Sequence, residues 1–587
     1  MPALAFSNMV RFRFFEAFPR PEGVRAPEGY WHREAIRCID GVVPSILCTE
    51  RSSVLQLARV LFAELAFLRV STSGSWTYGH DRSLIVLAPP RFWVVLALPA
   101  PGSTVYRAKR GTVSSAKIVT TVTIGGTTMK LSAEEALGKE KVGRLLVKLS
   151  VPAMIGMLVQ AMYNFVDTIF VGRAVGSLGI AAISISFPMQ IFIMAFAQLL
   201  GIGGSSLVSR ALGAGNRDRA NRTVGNVLLG SIVFGLLMAL LGTLFLDPLL
   251  RLLGASDTIL PYARDYLGVI ILGAVFFSFG MAMNNLIRAE GRARVAMLTM
   301  LISGGLNIAL DPIFIIVLGL GVRGAAIATV ISQATTSLYV FWYFMSGRSA
   351  LSVKKNDLVP DFRILKETFF VGSSAFARQI SGSMLAIIIN NSLVFYGGDI
   401  SVAVYGVINR LMMVFMLPMF GINQGFMPIL GYNYGAKNYS RARQSVNLAL
   451  LSSTALAVIA FVTLFFFPQQ MVSIFTNEEQ LILEASSVMR IIVFVAPLIG
   501  IQVIAAGMFQ ALGKAMIALL LSMLRQIILL IPLVLILPLS FGLMGIWIAF
   551  PIADGTAFVI SLIFYTRQVK SLQRSSIESN EVAESAF

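Results

Sequence analysis

The chain has 587 residues, 56% of them apolar and only 13% charged, with 50 Gly and 41 Phe. Soluble globular proteins carry about a quarter charged residues, so this composition excludes a soluble multidomain enzyme, a disordered chain and a disulfide-built secreted module. What remains is a polytopic helical membrane protein. The net charge of +18 fits either nucleic-acid binding or the Lys/Arg bias that orients membrane helices, and the position of the charges decides between them.

Residues 1–128 stand apart. They hold 13 Arg but only 2 Lys, both cysteines (Cys38 and Cys48), both histidines (His32 and His80) and three of the five Trp. Pro-rich breaks interrupt them, and the apolar run Leu84–Leu98 is cut by Pro89, Pro90 and Arg91. Two cysteines make no disulfide framework, and no His or Cys remains later in the chain for a metal site. A different sequence begins at Met129, with a polar helix-forming lead into the first long apolar segment. Residues 1–128 are read as an N-terminal extension, from a mis-called start or disordered.

From Leu149 the chain alternates long apolar segments with short polar breaks. Spans are predicted near 149–172, 179–209, 223–246, 259–287, 295–318, 323–346, 366–396, 401–430, 445–468, 481–511, 515–538 and 543–566. Each has the length needed to cross a hydrocarbon core of about 30 Å. The segment also repeats. GAGNRDRA (213–220) resembles GAKNYSRA (435–442), and RAEGRARVAM (288–297) resembles QALGKAMIAL (510–519), both at an offset of 222. GVRGAAIAT (321–329) resembles GLMGIWIAF (542–550) at 221. The expected fold is therefore an all-α polytopic membrane protein, with twelve transmembrane helices in two six-helix lobes. An even number of spans per repeat gives both lobes the same orientation, related by a pseudo-two-fold axis along the membrane normal. The expected division is an N-lobe at 129–347, an inter-lobe linker at 348–365, a C-lobe at 366–566 and a tail at 567–587.

Loops after the even-numbered spans, with the tail, carry 19 Lys and Arg, against 4 on the other side. That asymmetry predicts both termini on the cytoplasmic side of the membrane and accounts for the basic surplus without nucleic acid. No nucleotide-binding loop is visible.

The acids inside the membrane are few. Asp167 in span 1, Asp311 in span 5 and Asp554 in span 12 lie deep, where a charge costs at least about 2.5–3.5 kcal/mol. Gln160, Tyr163 and Asp167 share one helical face at i, i+3, i+7, and Asn307 shares a face with Asp311. Thr329 in span 6 falls at similar depth. Two carboxylates among hydroxyl and amide oxygens can bind Na⁺ or share a proton. Pro312 removes a backbone donor beside Asp311 and predicts a kink. In the second repeat Arg525 and Asp554 fall at one depth and are expected to form an ion pair; a second ion or substrate site is the alternative. Asn390 and Asn391 stand near the counterpart of Asp167, so the carboxylate is not duplicated. Met412, Met413, Met416, Met419 and Met427 in span 8 suit either varied apolar ligands or ordinary packing.

The segments YNFVDTIFVGR (163–173), SRALGAGNRDRANR (209–222), RAEGRAR (288–294), LNIALDPIFI (306–315), GLGVRGAAIAT (319–329) and GYNYGAKNYSRAR (431–443) resemble the multidrug and toxic compound extrusion (MATE) family, over about residues 140–566. The likeness is greatest to its DinF-like prokaryotic branch. That resemblance implies a secondary active multidrug efflux antiporter of the prokaryotic cell inner (plasma) membrane, exporting cationic amphipathic compounds in exchange for H⁺ or Na⁺. It implies Asp167 and Asp311 as ion-coupling carboxylates, with Gln160, Tyr163, Asn307 and Thr329 as the polar cluster around them. The expected partners are small cationic or amphipathic drug-like substrates and membrane lipids, with the protein a monomer that needs no cofactor beyond the coupling ion and is not an enzyme. Two alternatives are a lipid-linked oligosaccharide flippase, which needs basic groups such as Arg378, Arg410 and Arg525 facing an anion, and an intramembrane aspartyl protease built on the two carboxylates.

Overall fold

The computed structural model describes residues 120–124 and 127–585, all within one compact unit, Gly111–Phe587. The reading of residues 1–128 as an extension falls almost wholly outside the described residues. A short antiparallel hairpin pairs Thr120–Ile124 with Thr127–Leu131, setting Val122 opposite Met129. Its threonines favour a strand, and it is the one departure from an all-helical chain among the described residues.

Nine helices among the described residues are long and apolar enough to cross a membrane, and two bent helix pairs do so together. The 74-residue helix Phe362–Gly435 turns at Gly398 (φ 66°) and so contains two spans, which brings the total to the expected twelve. Spans 1 to 3 are Val142–Val175, Ser177–Gly213 and Arg217–Leu244. Span 4 is Leu260–Leu272 with Ala274–Ala289, bent by 50°, and span 10 is Glu479–Val493 with Ala496–Ala511, bent by 42°. Span 5 is Ala293–Pro312 and span 6 is Gly321–Met345. Spans 7 and 8 are the two parts of Phe362–Gly435, and span 9 is Tyr439–Phe466. Span 11 is Ala515–Met523 extended to Ile536, and span 12 lies in Pro538–Ser585 beyond a turn at Gly542.

The duplication extends to the backbone. Left-handed residues recur in pairs: Gly176 with Gly398, Gly215 with Lys437 and Gly291 with Gly513 at an offset of 222, and Gly321 with Gly542 at 221. Each pair closes the same tight turn, which requires positive φ. Lys437 (φ 57°) is the only non-glycine with positive φ among the described residues. The helix starts that follow are also matched: Asn216 accepts from the Arg219 amide (3.0 Å) and Asn438 from the Arg441 amide (3.2 Å). Span 5 passes into a π-helix at Ile313–Val317 and span 11 at Leu524–Leu530. The kink expected at Pro312 is thus a widened turn: the missing proline N–H releases one rung of the ladder, and the following residues bond one position further back.

The two halves meet at their basic end, where glycines let backbones touch. A Cβ on Gly203 of span 2 would fall 2.0 Å from the Thr368 carbonyl oxygen of span 7, and one on Gly372 would fall 1.9 Å from that of Leu199. Gly425 of span 8 backs onto Ser150 of span 1, and Gly421 onto Met154. Further along, Phe376 stands edge-on to Phe192 and Phe196. Arg210 and Arg219 of the first half both bind Glu367 of the second, at 2.9 and 2.5 Å. The short helix Ala133–Lys139 wedges beneath, with its N-terminus closed by a Ser132–Glu135 capping box. Glu134 pairs with Arg217 (2.6 Å), while Asn433 and Arg441 donate to the Leu137 and Glu140 carbonyls. Leu137 is buried in one core with Leu145, Leu149, Phe426 and Ile429.

The linker after span 6 is fastened to the first half. Buried Glu290 accepts from Tyr343 Oη (2.5 Å), Ser349 Oγ (2.8 Å) and the Ala350 amide (2.7 Å). Asn221 accepts from the Ser352 amide, and Asn226 Oδ1 from the Asp361 amide at 2.8 Å. Gly225 lies directly against the Asp357 carbonyl.

Candidate functional site

Within its spans the first half buries two carboxylates. Asp167 is 6% exposed although Phe165, Thr168 and Ile169 around it on span 1 are exposed, so it points into the bundle. Asp311 is fully buried at the end of span 5, just before the π-helix. Asn307, one turn earlier, donates through Nδ2 to Asp311 Oδ1 (3.1 Å) and to Thr329 Oγ1 of span 6 (3.2 Å). One amide thus ties spans 5 and 6 together and orients the carboxylate.

Acceptors outnumber donors in this pocket. Asp167 Oδ1, Asp311 Oδ2 and Asn307 Oδ1 are buried with no hydrogen-bond partner, and neither carboxylate has an ion-pair partner among the described residues. Buried acceptors left unpaired are costly, and a cation, an added proton or a water molecule can satisfy them. The two carboxylates lie close enough for their charges to interact, and Tyr163 lies within range of both. Gln160 sits one turn before Tyr163 and half-buried, but it joins the cluster by no side-chain hydrogen bond among the described residues.

Tyr266 of span 4 was not legible as a site residue. It is 3% exposed and lies within range of Asp167, Tyr163 and Asp311, beside Gln190 of span 2. The sequence signal is weak: a tyrosine in an apolar span reads as packing.

The second half differs. Ile389, fully buried, occupies the position 222 residues after Asp167. Arg525 and Asp554 form a bidentate pair, Nε to Oδ1 and Nη2 to Oδ2 (3.2 Å), and Gln502 caps the Asp554 carbonyl at 2.9 Å. Of the span 8 methionines, Met419 and Met427 are buried, Met412 and Met416 pack on the core, and Met413 is exposed. Most of that stripe is therefore packing.

Two six-span halves related by a pseudo-two-fold, with an unpaired acidic pocket in one of them, define a multi-pass membrane transporter. Comparison with known proteins identifies its family. Residues 152–313 and 375–536 each match the MatE family model, one match per repeat. The multidrug export protein MepA of Staphylococcus aureus (strain MRSA252) is 30% identical over 447 residues, covering 76% of this chain and 98% of that protein. MepA of Staphylococcus haemolyticus is 29% identical, over 72% of this chain and 93% of the relative. Among solved structures, an outward-facing multidrug resistance MATE transporter matches at 29% identity and a TM-score of 0.70, over 75% of this chain and 98% of that one. A MOP superfamily transporter from Pyrococcus furiosus, described as having a binding pocket of reversed polarity, matches at 30% and 0.70 with the same coverage. The chain belongs to the MATE family.

Proposed function

We propose that this protein is a secondary active multidrug efflux antiporter of the plasma membrane, with both termini cytoplasmic, which exports cationic amphipathic compounds in exchange for H⁺ or Na⁺. The observation that carries the coupling is the set of three orphaned buried oxygens on Asp167, Asp311 and Asn307. Such a pocket holds a cation or a proton in one state of the cycle and an organic cation's counter-charge in another. That the Staphylococcus relatives are multidrug export proteins supports export of drugs.

In this reading the basic end is the cytoplasmic end, and its tight backbone contacts make the present state outward-facing. Ion binding at Asp167 and Asp311 neutralises the pocket and repacks span 1, and the cationic substrate leaves outward. Rocking of the halves about their interface then exposes the cleft to the cytoplasm.

The test is reconstitution into vesicles, with substrate efflux driven separately by a pH step and a Na⁺ step. One of the two gradients drives efflux in the wild type, and Asp167→Asn and Asp311→Asn abolish it while keeping expression. Undiminished transport in both variants would overturn the coupling assignment.

A further inference from the structure

The segment that leads into span 1 is clasped by the half to which it does not belong. Leu137 and Glu140 lie at the end of the short helix Ala133–Lys139, where carbonyls have no partner within the helix. The second half supplies the partners. Asn433 of span 8 donates to the Leu137 carbonyl (3.0 Å), and Arg441 of span 9 donates to that of Glu140 (2.7 Å). Asn433 also accepts from Arg441 Nε (3.2 Å), so the two donors hold each other in place. Leu137 is buried in one core with Phe426 and Ile429 of span 8, and Gly138 lies against the Tyr432 ring.

The linker before span 7 repeats this arrangement with the halves exchanged. It lies 222 residues later, and its Lys354 amide donates to Asp357 (2.8 Å) as that of Ser132 does to Glu135 (2.9 Å). Val359, the counterpart of Leu137, gives its carbonyl to Asn226 of the first half (3.3 Å). Each lead thus crosses the seam between the halves. The linker has a second anchor, since Ser349 and Ala350 donate to Glu290. The counterpart of Glu290 in the second half is Leu512, so the lead into span 1 has no matching anchor there.

Its other ties all belong to the first half. Lys141 carries it directly into span 1, Glu140 pairs with Lys148 of that span (2.9 Å), and Glu134 pairs with Arg217 (2.6 Å). These ties travel with the first half when the halves rock, and the clasp on Asn433 and Arg441 does not. A seven-residue helix is marginal without tertiary support, so the clasp is also what keeps this one folded across the seam.

We propose that Ser132–Glu140 is a releasable strap across the cytoplasmic seam. Clasped to Asn433 and Arg441, it holds the outward-facing state; released, it leaves with the first half as the cleft opens to the cytoplasm. This rests on the reading of the basic end as cytoplasmic and of the halves as rocking, and it adds the contact that must break first.

The experiment uses the full chain carrying Cys38→Ser and Cys48→Ser, which removes both native thiols. Two cysteine pairs are introduced: Gly138→Cys with Tyr432→Cys across the clasp, and Glu134→Cys with Arg217→Cys on the first-half side. Each pair is joined by a bifunctional methanethiosulfonate and reopened with dithiothreitol. Gradient-driven efflux from vesicles is read before joining, after joining and after reopening. Activity before joining and its return on reopening show that each variant is folded. Joining across the clasp should stop efflux, and joining on the first-half side should leave it unchanged. Equal effects in the two pairs would overturn the strap. A second measurement needs no transport: labelling of Thr368→Cys, a fully buried position on the seam, by an impermeant maleimide. Adding Asn433→Ala should raise the labelling rate about fivefold, the scale of one lost hydrogen bond. An unchanged rate would also overturn the proposal. Faster labelling in a protein that moves no substrate overturns the efflux reading and supports the strap.

Discussion

Gly213 and Gly435 occupy equivalent positions in the two repeats, and each presses on the residue three before the other. A Cβ on Gly213 would lie 1.9 Å from the Tyr432 carbonyl oxygen, and one on Gly435 would lie 2.1 Å from that of Arg210. The contact is self-complementary across the pseudo-axis, as in a symmetric dimer fused into one chain. It is made of backbone and cannot yield as a side chain does. Gly213→Ala or Gly435→Ala should each destabilise the state seen here by about 1–3 kcal/mol through overpacking. The double variant should cost less than the sum, because one displacement relieves both clashes. Thermal unfolding in detergent measures the cost, and labelling of cysteines introduced at the basic end measures the opening.

Lys437 adopts the turn conformation that Gly215 provides in the first repeat. A left-handed non-glycine residue costs about 1–2 kcal/mol. Lys437→Gly should therefore raise stability by up to about 1 kcal/mol, offset in part by glycine's greater unfolded freedom. Gly215→Lys should lower it. Paired melting curves of the two variants check both signs.

Breaking the Arg525–Asp554 pair should be severe. Arg525→Leu or Asp554→Leu alone leaves a buried charge and should cost about 3–5 kcal/mol, whereas the double Leu variant should recover most of the loss. A double-mutant cycle on thermal stability reads the difference. Recovery of transport in the double variant would mark the pair as structural, and continued failure would make it a working part.

Asn307 holds both Asp311 and Thr329. Asn307→Ala should weaken the apparent affinity for the coupling ion by about tenfold, since it removes a hydrogen bond to a charged group. Thr329→Val removes only the second bond and should do less. Ion titrations of transport, taken at saturating substrate, separate the two.

Glu290 lies in the loop after span 4, outside the membrane-spanning segments. Burial pushes its carboxyl above the ordinary range, opposed by hydrogen bonds from Tyr343, Ser349 and the Ala350 amide. A raised folded-state value means that the native protein binds the proton more tightly than the unfolded chain. The stability this contributes is full at low pH and is lost as pH rises through the folded value. Relative to Glu290→Gln, the wild type should thus lose melting temperature as pH climbs from about 4, the ordinary glutamate value. A pH series on both proteins tests the slope.

The spans were legible because each is an uninterrupted apolar run, and the repeat because its basic loops keep their turn residues. Asp167 and Asp311 stood out for the same electrostatic reason in reverse: a charge in an apolar run has no cheap explanation. What escaped notice depends on the path of the backbone. Pro312 announces the π-turn in span 5, whereas the bends in spans 4 and 10, the π-turn in span 11 and the place of Tyr266 beside the acids appear only in the folded backbone. Gln160 shows the converse, sharing a helical face with Asp167 without being drawn into its hydrogen bonds. The reciprocal glycines were visible as residues, but their purpose needed the other half of the chain beside them.

The fastening of the linker sets how the halves can move. Residues 349–361 are held to the first half by Glu290, Asn221 and Asn226, and span 7 begins at Phe362. No slack chain lies between the two bodies. The covalent connection is a pivot rather than a tether, so the second half cannot slide away from the first and must turn about the base of span 7. Glu367, one and a half turns along that span, stays near the axis while the far ends of spans 7 and 8 sweep the widest arc.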